Sequence, residues 1–246
     1  MGSDALPNPE LWRNDNEQHN FYQCRSDLQH DHKSCPTDGK KYPVIFLIHG
    51  NACLVAPFGD QIHGFAKDLA DRGYLTAVPQ YYTDNNSHFE DTTPHNQILA
   101  DAIEAVAARQ DADLDRLGLI GFSLGATTAM TYIASKPQGT VKVLADFFGF
   151  LTPTIEAGVA KFPPTIILHN ENDQIVYISY SKKLDKLLEK ANIEHPFKVY
   201  DEHWKMMYDG NLVEVSHSFK PGDPADVDSR AQATDWFDKH LSPIGN

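Results

Sequence analysis

The chain is short of cysteine, short of positive charge and without a long apolar run, and each shortage excludes something. Three cysteines in 246 residues (Cys24, Cys35 and Cys53) leave an odd count. Cys24 and Cys35 either bridge a short polar loop or stay reduced, so the compartment stays open between the cytoplasm and export as a mature domain. "MGSDALPNPELWRND" has neither a basic n-region nor an apolar h-region, and no signal peptide is expected in it. A net charge of −13 offers no basic patch to displace counterions from phosphate, which argues against nucleic acid as a partner. No apolar stretch approaches the ~20 residues of a membrane span. Nucleotide signatures are missing too: "GFSLGA" lacks Gly-x-Gly spacing and no Lys-Ser/Thr follows it. "QHDHKSC" (29–35) resembles half a zinc site but has no second, separated ligand pair, so no metal is expected there.

What the chain does have is apolar content, 41% of residues, enough for the core of one domain. Residues 1–40 are polar and read as an N-terminal arm with edge strands, one of them around "FYQCRSD". From residue 41 the texture changes to a single α/β domain over 41–246. "YPVIFLIHG" is a continuous apolar run ending at glycine, the mark of a strand buried on both faces. "QIHGFAKDLADRG" has helical periodicity with Gly73 just past its end. Strand-like "YLTAVPQYY", "DRLGLIGFS", "VKVLADFFGF", "PPTIILHNEND" and "HPFKVYDE" then alternate with helical "NQILADAIEAVAARQ", "LGATTAMTYIAS" and "SYSKKLDKLLEKAN". "DVDSRAQATDWFDKHL" reads as a last helix. The alternation predicts an α/β fold with a doubly wound, mostly parallel sheet and helices on both faces. Chemistry in such sheets gathers at the carboxyl ends of the strands, here after Ile48, Val78, Gly121, Leu168 and Tyr200.

At the third of these ends, Gly-Phe-Ser-Leu-Gly surrounds Ser123. Gly-x-Ser-x-Gly arises by chance in roughly one chain of this length in twenty, so its weight comes from context. A strand precedes it and a helix of small residues follows, which is the setting of a nucleophile elbow. A serine hydroxyl needs a base to take its proton and an acid to orient that base. The acid is expected just beyond "TIILHNEND", with Asp173 the better fit and Glu171 its competitor. His203 and His217 both lie in the long loop before the last helix, where the base is expected. His169 falls inside a strand and reads as structural, while His88, His95, His195 and His240 read as solvated. Oxyanion donors are expected from the Leu124 N–H and from Asn51 or Ala52 in "HGNAC", a loop that His49 would brace.

Taken in order, "YPVIFLIHG", "FAKDLADRGYLTAVPQYY", "GLIGFSLGA", "PPTIILHNENDQIVYIS", "LDKLLEKANIEHPFKVY" and "SHSFKPGD" resemble the dienelactone hydrolase family of the α/β-hydrolase superfamily, over roughly residues 41–242. The resemblance implies an α/β-hydrolase fold with no cofactor. It places the acid at Asp173 and the base at His217, the histidine before Ser218-Phe219. The chain departs from that pattern in three respects. Ser123 stands where dienelactone hydrolases proper carry cysteine, and "HGNACL" supplies no glutamate to poise a thiolate. The arginine those enzymes place shortly after His-Ser-Phe is replaced by Lys220 in that neighbourhood. Together these favour ordinary Ser–His–Asp activation and argue against a dienelactone-type anionic substrate.

The expected activity is that of a serine esterase or lactonase on a small molecule, from a monomer or homodimer. The same triad would also serve acyl transfer, cyclisation or carbon–carbon cleavage, favoured if "DEHWKMMYDGNLVEV" (201–215) were a water-excluding lid. An idle binding protein is the reading from another class, and the intact serine, aspartate and histidine count against it. Tyr81, Tyr82, Trp204 and Lys220 are the expected substrate contacts, with Phe58 near the same face.

Overall fold

Apolar runs closed by a small or polar residue become the strands of one sheet. The computed structural model describes residues 20–23, 39–81, 93–208 and 210–244. Cys24, Cys35, the 29–35 histidine cluster, Tyr82 and His88 lie outside them. The strands are β1 (Asn20–Gln23), β2 (Tyr42–Ile48), β3 (Leu75–Val78), β4 (Ala112–Phe122), β5 (Val143–Phe147), β6 (Thr165–Asn170) and β7 (Phe197–Tyr200). They hydrogen-bond in the order β1-β3-β2-β4-β5-β6-β7. Among the described residues of this sheet, β1 pairs antiparallel with β3 and the other neighbours are parallel.

The helices are α1 (Phe58–Asp71), α2 (Thr93–Ala107), α3 (Leu124–Ser135), α4 (Pro153–Gly158), α5 (Ser179–Lys190) and α6 (Pro224–Leu241). α1 and α6 cover one face of the sheet: Ile62, Phe65 and Leu69 of α1 and Ala233 and Phe237 of α6 pack with Ile45 and Leu47. α2, α3 and α5 cover the other, where Leu99, Met130 and Leu184 join Val44, Phe46 and Ile48. Alternate residues of β2 thus face opposite apolar layers, which is why its sequence is an unbroken apolar run. This is the doubly wound α/β architecture that the alternation predicts and the α/β-hydrolase fold that the resemblance implies.

Several boundaries differ from expectation. α2 begins at Thr93 and not at residue 96, because Pro94 brings to the first turn a φ already suited to a helix. α4 was not anticipated, although "LTPTIEAG" carries its signal: the Thr152 hydroxyl accepts from the Ile155 N–H at 3.4 Å, with proline at the helix start. Residues 201–215 hold a hairpin of β8 (Trp204–Tyr208) and β9 (Asn211–Val215). No helix among the described residues is long and apolar enough to cross a membrane.

β2 lies between β3 and β4, so the chain winds outward from it in both directions. The crevice at such a reversal opens beyond the carboxyl ends of the two strands. Here those ends deliver the 49–53 loop and Ser123 side by side.

Candidate active site

Ser123 joins β4 to α3 with φ 55° and ψ −120°, a left-handed conformation that costs about 1–3 kcal/mol for a residue other than glycine. The surroundings hold it there. Its N–H donates to the Phe147 carbonyl at 2.8 Å, and its own carbonyl accepts from Ala126 and Thr127. The flanking glycines are steric necessities: a Cβ at Gly121 would lie 2.3 Å from Ala126 Cα, and one at Gly125 would lie 2.0 Å from the Ile48 carbonyl oxygen.

From this elbow a hydrogen-bond chain runs inward. The Ser123 hydroxyl donates to His217 Nε2 at 2.7 Å, and His217 Nδ1 donates to Asp173 Oδ2 at 2.6 Å. Asp173 is buried, and its other oxygen accepts the N–H groups of Ile175 (2.8 Å) and Val176 (2.9 Å). His169 Nε2 reaches both the Val176 carbonyl (2.8 Å) and Asp173 Oδ2 (3.2 Å), while its Nδ1 accepts from the Ser181 hydroxyl at 2.7 Å. Burial by itself would raise the Asp173 carboxyl; the donors His169, His217 and Ile175 outweigh it and hold the group well below the usual carboxylate range. Glu171 is exposed, and His203 faces Asp201 and Glu214 on the hairpin, so neither competitor joins the chain.

The loop carrying His217 is fixed at both ends. Asn170 donates to the Ser216 carbonyl at 2.9 Å, and the Trp204 indole N–H donates to the Ser218 carbonyl at 2.9 Å. Phe148, also left-handed (φ 52°), sets its ring 5.3 Å from the His217 ring. Neither Asn170 nor Phe148 stood out in the sequence. The legible hint for Phe148 was the glycine that follows it, where the chain leaves β5. Asp146, a lone carboxylate in an apolar strand, was a second overlooked signal. It is wholly buried, accepts from the Gly149 N–H at 2.8 Å through Oδ1, and has no partner at Oδ2. Burial pushes its carboxyl up to about 6.

Across from the serine, the 49–53 loop is braced by His49, whose Nδ1 donates to the Gly50 carbonyl at 2.9 Å. The Tyr81 hydroxyl donates to the His49 carbonyl at 2.9 Å, and its ring lies 4.4 Å from the imidazole. Burial lowers His49 to about 4, so the ring is neutral at physiological pH. Asn51 and Ala52 line a cavity of about 230 Å³ together with Ser123 and His217. Leu124 begins α3, so its N–H has no acceptor within the helix. Aromatic side chains dominate the cavity wall, Phe58, Phe65, Phe122, Phe147 and Phe219 among them.

Three expected substrate contacts are corrected. Tyr81 is buried behind the 49–53 loop, its hydroxyl spent on His49. Trp204 is buried beneath the His217 loop and serves its backbone. Lys220 is solvent-facing and paired with Asp223 at 3.2 Å. Of the 201–215 hairpin, Val215 lines the cavity, whereas Met207 and Leu212 pair across the strands and are 64% and 63% exposed. His95, His195 and His240, expected in solvent, are largely covered by packing.

Known proteins resemble this chain in sequence and fold. A candidate carboxymethylenebutenolidase of Yersinia pestis is 22% identical over 222 residues, spanning 81% of this chain and 79% of that protein. Among solved structures, a candidate dienelactone hydrolase from Klebsiella pneumoniae superposes with a TM-score of 0.62 at 19% identity, covering 83% of this chain and 90% of the other. Propionate-bound Est2, a thermophilic esterase of Thermogutta terrifontis, superposes with a TM-score of 0.68 at 15% identity, covering 92% and 91%. The sequence pattern of the dienelactone hydrolase family matches residues 33–241, and the chain belongs to that family.

Proposed function

We propose that this protein is a serine carboxylesterase or lactonase. As the ester carbonyl enters the cavity, Ser123 Oγ bonds to its carbon while the hydroxyl proton passes to His217 Nε2. The C=O electron pair becomes an oxyanion, which the Leu124 N–H and an N–H of Asn51 or Ala52 receive. Collapse breaks the bond to the leaving alkoxide, and His217 returns its proton there. Water, deprotonated by the same imidazole, then cleaves the acyl-enzyme and frees the serine. Asp173 keeps Nδ1 protonated and stabilises the imidazolium formed in each half of the cycle. No step calls for a cofactor.

The observation that carries this reading is the chain Ser123–His217–Asp173, with links of 2.7 and 2.6 Å, at a strained turn beside an apolar cavity. The names of the relatives support it: one is a candidate carboxymethylenebutenolidase, and the Thermogutta terrifontis enzyme is an esterase also described with butyrate bound. The test is turnover of p-nitrophenyl propionate and butyrate. Ser123→Ala should lower kcat by roughly ten-thousand-fold or more, with the protein still folded. Retention of most of the wild-type rate would remove Ser123 from the mechanism.

A further inference from the structure

Behind the triad lies a second imidazole that the reaction steps do not use. His169, near the end of β6, is wholly buried. Its Nε2 lies 2.8 Å from the Val176 carbonyl and 3.2 Å from Asp173 Oδ2. A carbonyl and an ionised carboxylate only accept, so Nε2 carries the ring proton. Nδ1 is then the bare nitrogen, and the buried Ser181 hydroxyl of α5 donates to it at 2.7 Å. His169 also reaches the acid through the backbone. Val176, whose carbonyl it holds, donates its own N–H to Asp173 Oδ1 at 2.9 Å. Asp173 Oδ2 therefore meets two imidazoles, His217 at 2.6 Å and His169 at 3.2 Å. The Phe148 ring packs against both, with centroids 5.3 Å from His217 and 6.1 Å from His169.

From this arrangement we infer that His169 is a positioning residue for the esterase reaction, holding the Asp173 carboxylate and the 173–176 turn in line with His217, with Ser181 of α5 fixing its ring. The inference rests on the Ser–His–Asp reading above and adds two residues to it. The acid must keep its direction while His217 becomes an imidazolium in each half of the cycle, and small misplacements of a reacting group are costly. The N–H groups of Ile175 and Val176 anchor Oδ1, whereas His169 meets Oδ2, the oxygen that His217 uses. Tautomer matters as much as place. With its proton on Nδ1, His169 would turn a bare Nε2 toward two acceptor oxygens and repel the turn that it now holds. The Ser181 hydroxyl opposes that tautomer by filling the Nδ1 lone pair.

The experiment compares His169→Gln, which keeps an N–H near the Nε2 position, with His169→Met, which fills the space and donates nothing. Turnover of p-nitrophenyl butyrate is expressed as kcat/KM per folded molecule, the folded fraction coming from circular dichroism. His169→Met should fall roughly tenfold below wild type, and His169→Gln should stay within about threefold of it. Packing alone predicts the reverse order, because a buried amide costs more than a thioether. Proton NMR gives a second readout: the downfield His217 Nδ1–H resonance should move in His169→Met and stay near its wild-type position in His169→Gln. Ser181→Ala leaves the imidazole in place and serves if the His169 variants do not fold. It should lower kcat/KM about threefold and move the same resonance. Nitrogen-15 spectra of wild-type protein should show His169 protonated at Nε2 and not at Nδ1. Met and Gln variants of equal activity, a His217 resonance unmoved in both His169→Met and Ser181→Ala, or a wild-type His169 proton on Nδ1 would each overturn the inference and leave the esterase reading standing. Wild-type protein that cleaves no ester, with Ser123 unreactive, would remove the esterase reading and this inference with it.

Discussion

Two buried aspartates give the site opposite responses to acid. Asp173 has a depressed folded-state value, so its contribution to stability is present above the ordinary carboxylate range and is lost as pH falls below about 4. Asp146 is raised from 3.8 to about 6, so its folded state binds the proton more readily. It costs nothing below pH 4, and the cost grows as pH rises through 6, to roughly 3 kcal/mol at neutral pH. Asp146→Asn cannot ionise. It should flatten the dependence of Tm on pH between about 4 and 6, as followed by thermal denaturation in a pH series. An unchanged slope would show that Asp146 titrates normally. Glycine acts at the same scale: Gly125→Ala would drive a methyl to 2.0 Å from the Ile48 carbonyl oxygen and should abolish soluble, folded protein on expression.

Elements position the reacting groups through their ends. β4 and α3 meet at Ser123, β6 leads to Asp173, and the hairpin β8–β9 leads into His217. Trp204 couples the hairpin to that last loop through the Ser218 carbonyl. Trp204→Phe keeps the apolar bulk and removes the indole donor. It should destabilise the protein by about 1 kcal/mol in a denaturant titration and lower kcat/KM several-fold, because the loop that moves carries His217 together with Ser218 and Phe219 of the cavity wall. The glycine spacing and the alternation of strands and helices were legible because each depends on local backbone geometry, whereas the choice of Asp173 over Glu171 and of His217 over His203 rested on the family resemblance. The pocket was not. Tyr81, Trp204 and Lys220 follow strands toward the right face, but whether a side chain turns to the cavity or to a neighbouring carbonyl depends on tertiary packing. Phe148 shows the converse, reaching His217 through a left-handed backbone that nothing in "ADFFGF" specifies beyond the glycine after it.

For the whole molecule, topology converts a linear order into a site. Winding outward from β2 opens a crevice between its end and that of β4, so the 49–53 loop faces Ser123 although more than a helix and a strand separate them in sequence. α1 and α6 then close one side of that crevice with the cavity wall, Phe58 and Phe65 from one and Asp226 and Arg230 from the other. Membership in the dienelactone hydrolase family fits this architecture, in which the Ser123 hydroxyl bonds to His217 and His217 bonds to Asp173. The central claim is that this alignment makes Ser123 reactive, and covalent labelling reads it without knowledge of the substrate. A structural relative, esterase 2 of Thermogutta terrifontis, is known phosphorylated by paraoxon. Treatment of the folded protein with a fluorophosphonate, followed by peptide mapping, should give one adduct on Ser123 that blocks ester turnover and is absent from Ser123→Ala. An unlabelled Ser123 in folded, treated protein, or an adduct on another residue with Ser123 intact, would contradict the account.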